Sequence, residues 1–171
     1  MKSDIQRRFI EEIEKRFGFL KPTFRGLFLW LDAKEGILYV YFVGSNLAVE
    51  FILDERDEDI ACKISRVIDG KLSLYYAVDH QGKLLRAELW ELLRARGIRE
   101  KMLTSVEGLS LEEQISIALN DYARMLQKYG QMVLEDNPKF LDVEAGVLGD
   151  DTLVDNEKKR NETLRGGYVG T

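Results

Sequence analysis

The period of apolar and polar residues changes twice along the chain, and the first stretch has the period of a helix. Near the N-terminus, apolar residues recur every three or four positions, which is the spacing of one helical face. Ser3 and Gln6 have the spacing of a capping box, and Gly18 can take the left-handed conformation that ends a helix. The pattern therefore predicts a first helix between Ser3 and Gly18, with an apolar stripe of Ile5, Phe9, Ile10, Ile13 and Phe17.

The next part of the chain, residues 27–78, carries five short runs of β-branched, aromatic and other apolar residues separated by turn residues. The linkers are too short for a crossover helix, so neighbouring strands must pair antiparallel. Asp69 and Gly70 suit a tight hairpin turn between the last two runs. The pattern predicts a five-stranded antiparallel meander with strands at residues 27–31, 37–43, 47–53, 60–68 and 72–78.

The helical period returns after residue 82 and continues to about residue 135. A short helix is predicted from Leu85 to a stop at Gly97. Ser110 forms a second capping box, and the clearest amphipathic stripe of the chain follows it and ends near Gly130. A further turn should stop before Pro138, because the residue ahead of a proline is pushed out of helical geometry. The predicted fold class is α+β: an N-terminal helix, the five-stranded meander, and two or three C-terminal helices packed on one sheet face.

The last part of the chain differs in composition from the rest. From Ala145 onward it is rich in glycine and polar residues and has few side chains that could anchor it to a core. We therefore predict a single α+β domain over residues 1–144 and a flexible C-terminal tail over residues 145–171.

The predicted sheet has more apolar surface than the helices can cover. Side chains alternate across a strand, and the first two strands are apolar on both sides. In whichever register they pair, aromatic side chains such as Phe28 and Trp30, or Tyr39 and Tyr41, must therefore point away from the helices. Three or four aromatic side chains in one patch approach the few hundred Å² at which an exposed apolar area becomes meaningful. Two interpretations follow: the face binds another molecule, or the sheet curls and the connector or the tail covers it.

Composition limits the classes of protein that need to be considered. The chain has 171 residues, a formal net charge of -5 and a single cysteine, Cys62. A lone cysteine excludes an internal disulfide framework and a multi-cysteine zinc site, and it is consistent with a reducing, cytoplasmic location. The acidic balance disfavours nucleic acid as a partner. No apolar run approaches the roughly 20 residues that a membrane-crossing helix requires, so no membrane association is expected.

No residue pattern predicts catalysis, a metal or a cofactor. His80 is the only histidine, and no serine or cysteine is placed to act as a nucleophile beside it. The acidic run at residues 54–59 does not have the spacing of an EF-hand loop, although its charges could steer a basic partner. Arg66 falls on the core side of its strand, where it either binds an anion or extends its charged end to solvent or to a carboxylate. Cys62 is predicted to be an inert core thiol.

The order of several short motifs resembles that of a group of small uncharacterised bacterial proteins. These motifs are the Leu-Ala-Val-Glu-Phe run at residues 47–51 that leads into the acidic turn, a Leu-Trp-Glu-Leu-Leu helix closed by Gly97, and a final helix ending in Tyr-Gly and followed by Leu134 and residues 140–141. Some of those proteins are similar to immunity proteins encoded beside polymorphic toxins. The resemblance covers roughly residues 19–141. It implies a cytoplasmic binding protein and carries over no functional residue.

The sequence thus favours a non-catalytic protein-binding module that is not an enzyme and has no cofactor, and the resemblance implies an immunity or antitoxin-like protein. Two alternatives stay open. One is a small-molecule binder or enzyme in which the curled sheet encloses a pocket with His80 or Arg66 at its mouth. The other is a homodimer formed through the aromatic face. The predicted partner-binding residues are Trp30, Tyr39, Tyr41, Tyr75, Asp54, Glu55, Asp57, Glu58 and Asp59.

Overall fold

A computed structural model describes residues 1–73, 77–144 and 168–170, and it shows an α+β fold with helices on one face of a curled antiparallel sheet. The helices are α1 (Asp4–Arg16), α2 (Leu89–Ala95), α3 (Leu111–Tyr129) and α4 (Gln131–Leu134), with short 3-10 helices at Gly18–Leu20 and Pro138–Leu141. The strands are β1 (Arg25–Asp32), β2 (Ile37–Val43), β3 (Leu47–Asp54), β4 (Asp59–Ile68), β5 (Lys71–Ser73), β6 (Arg86–Glu88) and β7 (Tyr168–Gly170).

The predicted meander is confirmed, because β1 to β5 are neighbours in chain order and every pair is antiparallel. The hairpin turn between β4 and β5 is also confirmed. Asp69 and Gly70 both have positive φ, 53° and 71°, as a tight hairpin turn of the primed type requires. The fifth strand was predicted to reach residue 78, but β5 ends at Ser73, and residues 74–76 lie outside the described residues.

The boundary of the middle helix was predicted wrongly. Residues 86–88 form β6 instead of the first turn of a helix, and α2 begins only at Leu89. The reason is that β5 pairs with only the last two residues of β4, which leaves the backbone groups of β4 near Lys63 in need of partners. Strand β6 supplies them, with Lys63 opposite Glu88 and Ser65 opposite Arg86.

Both capping boxes are confirmed, and they fix where α1 and α3 begin. In each case the serine side chain accepts a hydrogen bond from the backbone of the third helical residue, whose own side chain accepts one from the serine backbone. The pairs are Ser3 with Gln6 and Ser110 with Glu113. Helix α3 ends at Tyr129 and is capped by Gly130, which agrees with the predicted end near Gly130.

The core lies between the helices and one face of the sheet. Alternate residues of β2 and β3, such as Val40, Phe42 and Phe51, are fully buried there against the apolar stripes of α1 and α3. Phe9 and Leu119 represent those stripes, and both are fully buried. This arrangement confirms the prediction that the helices pack on one sheet face.

A carboxylate from the C-terminal part of the chain closes the turn between β2 and β3. The Asp136 side chain accepts hydrogen bonds from the backbone N–H groups of Ser45 (2.8 Å), Asn46 (3.1 Å) and Leu47 (2.8 Å). The turn approaches so closely that a Cβ added at Gly44 would lie 2.7 Å from Asp136 Oδ1. We call this arrangement the Asp136 clamp.

Residues 145–167 and 171 lie outside the described residues, and most of the predicted flexible tail falls on them. Residues 168–170 form β7, which pairs antiparallel with β5. Within the described part of the chain, no helix combines the length and the apolar character that crossing a bilayer demands.

Candidate functional site

The sheet face that points away from the helices, called here the second face, carries the three predicted aromatic binding residues that the structure describes, Trp30, Tyr39 and Tyr41. Strand register places Phe28 beside Tyr41 and Glu50 in one row across β1, β2 and β3. Trp30 lies beside Tyr39 in the next row. The second face includes Phe28, Trp30, Ile37, Tyr39, Tyr41, Val43, Ala48, Glu50, Ile52, Ala61, Lys63, Ser65, Val67, Leu72, Arg86 and Glu88.

The expectation that tyrosine rings of this face are open to a partner is wrong for β2. Tyr39 is 7% exposed and Tyr41 is 1% exposed, so neither ring is available for contact. The rings cover one another: Trp30 stacks on Tyr39 with centroids 4.7 Å apart, and Tyr39 lies nearly parallel to Tyr41 at 6.2 Å. Trp30 itself is half-buried, and Tyr75 lies outside the described residues.

The curl of the sheet is the physical reason for this burial. Strand β5 brings Leu72 into the same apolar cluster as Tyr39, Tyr41 and Ala48, and Leu72 and Ala48 have no exposed surface. The alternative in which the sheet curls over its own aromatic residues therefore describes the middle of the second face.

A buried ion pair lies beside these rings, and the sequence analysis did not identify it. Glu50 is fully buried and accepts two hydrogen bonds from the Arg86 guanidinium, at 2.7 Å from Nε and 2.5 Å from Nη2. Ser65 Oγ donates to the same carboxylate at 3.2 Å, and the Tyr41 hydroxyl donates to it at 3.4 Å. The only sequence signal for this pair was Glu50 itself, a glutamate between apolar neighbours at a position of β3 whose side chain points to the second face.

The surroundings of the pair raise the pKa values of Arg86 and Tyr41. Burial by itself would lower the pKa of Arg86, but the charge and hydrogen bonds of Glu50 raise it above its ordinary value. Burial, reinforced by the Glu50 charge, raises the pKa of Tyr41, so the hydroxyl stays protonated and remains a donor. A fully bonded, closed network of this kind presents no group to a substrate, and its chemistry is that of a structural ion pair.

The acidic turn divides into two parts. Asp54 accepts hydrogen bonds from the backbone of Arg56 (3.0 Å) and Asp57 (3.1 Å), and Glu55 accepts one from Ser3 Oγ (2.7 Å). These two carboxylates therefore hold the turn and the start of α1. The carboxylates that remain exposed are Asp57, Glu58 and Asp59.

The other candidate residues have structural surroundings. His80 is exposed in a turn whose Asp79 carboxylate accepts from the backbone of Gln81 and Lys83. The Arg66 guanidinium donates to two backbone carbonyls and to Asp142 at 2.7 Å, which agrees with the carboxylate alternative. Cys62 is fully buried, and burial raises the pKa of its thiol. Among the described residues no cluster of side chains has the make-up of a metal site.

The open surface is the edge of the sheet at β1, which sequence reasoning had treated only as part of a face. In the described part of the chain β1 pairs with β2 alone and stands at the end of the strand order. Phe28 is 36% exposed and Leu29 is 41% exposed. The interior of the strand has no charge or proline, the devices that commonly protect an edge. The only irregularity is a bulge at Gly26, where φ is 62°.

The hydrogen-bonding phase of β1 follows from the alternation of an antiparallel ladder. The backbone N–H of Gly44 donates a hydrogen bond to the carbonyl of Leu47. Because backbone hydrogen bonds alternate from side to side along a strand, even-numbered residues of β2 are hydrogen-bonded to β3 and odd-numbered residues to β1. Their register partners in β1, such as Phe28 and Trp30, therefore use their backbone groups on β2. The residues that direct N–H and C=O groups away from the sheet are Leu27, Leu29 and Leu31.

A half-buried glutamate at the end of β6 makes stability depend on pH. Burial raises the pKa of Glu88 from 4.5 to about 7; Lys63 and Arg86 oppose the shift, and Asp59 and Glu91 add to it. Because the folded protein binds this proton more tightly than the unfolded chain, its stability should fall as the pH rises from about 4.5 to 7. Glu88→Gln removes this loss, so urea unfolding should show a gain of about 1–3 kcal/mol at pH 8 that shrinks towards pH 5. An equal gain at both pH values would contradict this prediction.

No family model, curated protein or solved structure matches this chain.

Proposed function

We propose that this protein is a non-catalytic binding module that recognises another protein through the edge of β1. The observation that supports this proposal is the combination of exposed Phe28 and Leu29 with a long strand whose outer backbone groups pair with no other described residue. The contact surface thus differs from the open tyrosine face that the sequence predicted. Trp30 remains part of it as a half-buried ring beside Phe28.

Strand addition is a general way in which proteins bind to such an edge. An extended segment of the partner extends the sheet, its backbone hydrogen bonds supply affinity, and side-chain contacts on alternate positions supply specificity. Leu27, Leu29 and Leu31 each offer one outward N–H and one outward C=O. Phe28 can add apolar area, at about 25 cal/mol per Å² removed from water.

The exposed acidic residues support the same proposal through association rate. Arg56 forms an ion pair with Glu35 at 3.1 Å, so the acidic turn lies at the end of the sheet where β1 turns into β2. Asp57, Glu58 and Asp59 therefore stand near one end of the proposed contact strand. Such a cluster attracts a basic partner and raises its rate of encounter, an effect that salt screens. A toxin as partner stays a prediction from the resemblance alone, and a cytoplasmic location stays a prediction from the resemblance and the single cysteine.

The experiment is affinity capture from the native host with three matched baits, followed by mass spectrometry. We expect the wild-type chain and Ile68→Lys to retain the same protein, since Ile68 is 52% exposed but ends β4, which β2 and β3 separate from β1. Leu29→Lys should lose that protein, because it places a charge at the centre of the edge. The purified partner should then bind the wild-type chain at least tenfold more tightly than Leu29→Lys. Equal retention by all three baits would overturn the proposal.

A further inference from the structure

The outer side of β1 is complementary to itself when two copies of the strand run antiparallel. We propose that the partner is a second copy of this chain, paired β1 to β1 about a two-fold axis at Leu29, so that the two sheets become one. This inference rests on the proposed use of β1 as the contact strand. It differs from a dimer made through the aromatic face, which the burial of Tyr39 and Tyr41 disfavours.

The symmetry of such a pair restricts the possible registers. A two-fold axis normal to the sheet keeps the helices of both copies on the same side, so residues opposite one another must belong to the same face. With the axis at Leu29, Leu27 lies opposite Leu31 of the second copy on the helix side. On the second face, Phe28 lies opposite Trp30 of the second copy. Aromatic and branched apolar pairs of this kind each stabilise an antiparallel pair by roughly 0.2–1 kcal/mol.

The charges at the two ends of β1 select this register. The bulge at Gly26 shifts the phase of the strand, so Arg25 pairs with Val43 and lies on the second face together with Asp32. In the pairing with β2, Gly26 has no opposite residue of its own. If the pairing with the second copy skips Gly26 in the same way, Arg25 lies opposite Asp32 of the second copy, and the two-fold axis repeats this contact at the other end of the interface. An axis at Phe28 instead would place Arg25 opposite Trp30 and leave Asp32 without an opposite basic residue.

The backbone groups agree with the same arrangement. Leu27, Leu29 and Leu31 are the residues that point their N–H and C=O groups outward, and the register pairs them only with one another. The three pairs can exchange roughly six hydrogen bonds, two for each closely spaced pair. The contact is smaller than the 1,200–2,000 Å² of a standard stable interface, so we expect a weak dimer with a dissociation constant on the order of micromolar.

The first test is the mass of the full chain by light scattering between about 1 and 200 µM, a range chosen for a weak interface. The mass should rise from 19.7 kDa towards twice that value. Leu29→Pro should abolish the rise, since it removes an outward N–H and no bond to β2. Leu29→Lys should do the same, and Ile68→Lys should behave as the wild type. A constant 19.7 kDa for the wild type, or a dimer that both Leu29 variants retain, would overturn the inference.

The second test examines the register through charge exchange. Arg25→Glu and Asp32→Lys should each weaken the dimer at least tenfold, because like charges then face each other at both ends. An equimolar mixture of the two variants should form a mixed dimer with near wild-type affinity, since every end again joins opposite charges. Asp32 Oδ1 also accepts from the backbone of Lys34 and Glu35, so circular dichroism must show that Asp32→Lys is folded. Failure of the mixture to recover affinity would overturn the Leu29-centred register.

These outcomes separate this inference from the proposed function. A wild-type chain that stays monomeric while its capture of another protein depends on Leu29 would refute the second copy and leave strand binding at β1 intact. Capture and mass that are both indifferent to Leu29 would refute both.

Discussion

Replacing Arg86 with methionine should lower the free energy of unfolding by about 3–5 kcal/mol, the cost typical of breaking a buried ion pair. Among the described residues, the variant leaves the fully buried Glu50 carboxylate with only the Ser65 and Tyr41 hydroxyls as donors. A buried charge that loses its counter-charge keeps its full desolvation cost. Urea unfolding followed by circular dichroism at pH 7 measures the change directly.

The double variant Arg86→Met with Glu50→Leu separates the value of the pair from the cost of orphaning one member. It should recover most of the lost stability, because replacing both charges with apolar groups of similar size is often nearly neutral. The exposed pair of Lys128 and Glu100, 3.2 Å apart, provides the control, and Glu100→Gln should leave the unfolding midpoint unchanged. A single Arg86→Met variant as stable as the wild type would contradict this prediction.

Removing the Asp136 carboxylate should lower the free energy of unfolding by about 2–4 kcal/mol, since three backbone N–H groups lose a charged acceptor. Asp136→Ala also places alanine at a φ of 53°, which adds strain, whereas asparagine tolerates this conformation. Asp136→Asn should therefore cost less than Asp136→Ala. Thermal and urea unfolding of both variants measure the difference.

Gly44→Ala tests the same clamp from the other side. The new methyl group would lie 2.7 Å from Asp136 Oδ1, so the turn or the carboxylate must move. Combined with Asp136→Ala, the glycine substitution should cost less than it does alone, because the side chain it meets is gone. Glu135→Ala, which removes a neighbouring exposed carboxylate, is the matched control. Strictly additive losses would argue against a shared contact.

The fold was predictable where the chain carries local signals. Capping serines, the Asp69 and Gly70 turn, and periodic apolar positions each act within a few residues, so they identify the helices and the meander directly. Strand β6 was not predictable in this way, since its formation depends on unpaired backbone groups of β4 that lie far away in sequence. Local spacing around Leu85 and Leu89 fits a helix equally well.

The candidate site was less predictable, because exposure is a property of the folded sheet. Parity predicted that aromatic side chains of the first two strands would point away from the helices but left their register open. It also contains no information on what lies above that face. The curl that brings Leu72 over the tyrosines, and the position of β1 at the end of the strand order, emerge only from the three-dimensional pairing. The Gly26 bulge, which moves Arg25 to the other side, has no unambiguous signature beyond the glycine itself.

Contacts between early and late parts of the chain affect how the protein folds during synthesis on the ribosome. The apolar stripe of α1 packs on α3, and the turn after β2 is closed by Asp136, so both wait for segments made roughly 100 residues later. At about 5–20 residues per second, that interval lasts several seconds or more. During this interval the nascent meander exposes the apolar face that the helices later cover, together with the unpaired edge of its first strand. A ribosome-associated chaperone that binds exposed apolar segments would therefore be needed most before α3 leaves the exit tunnel.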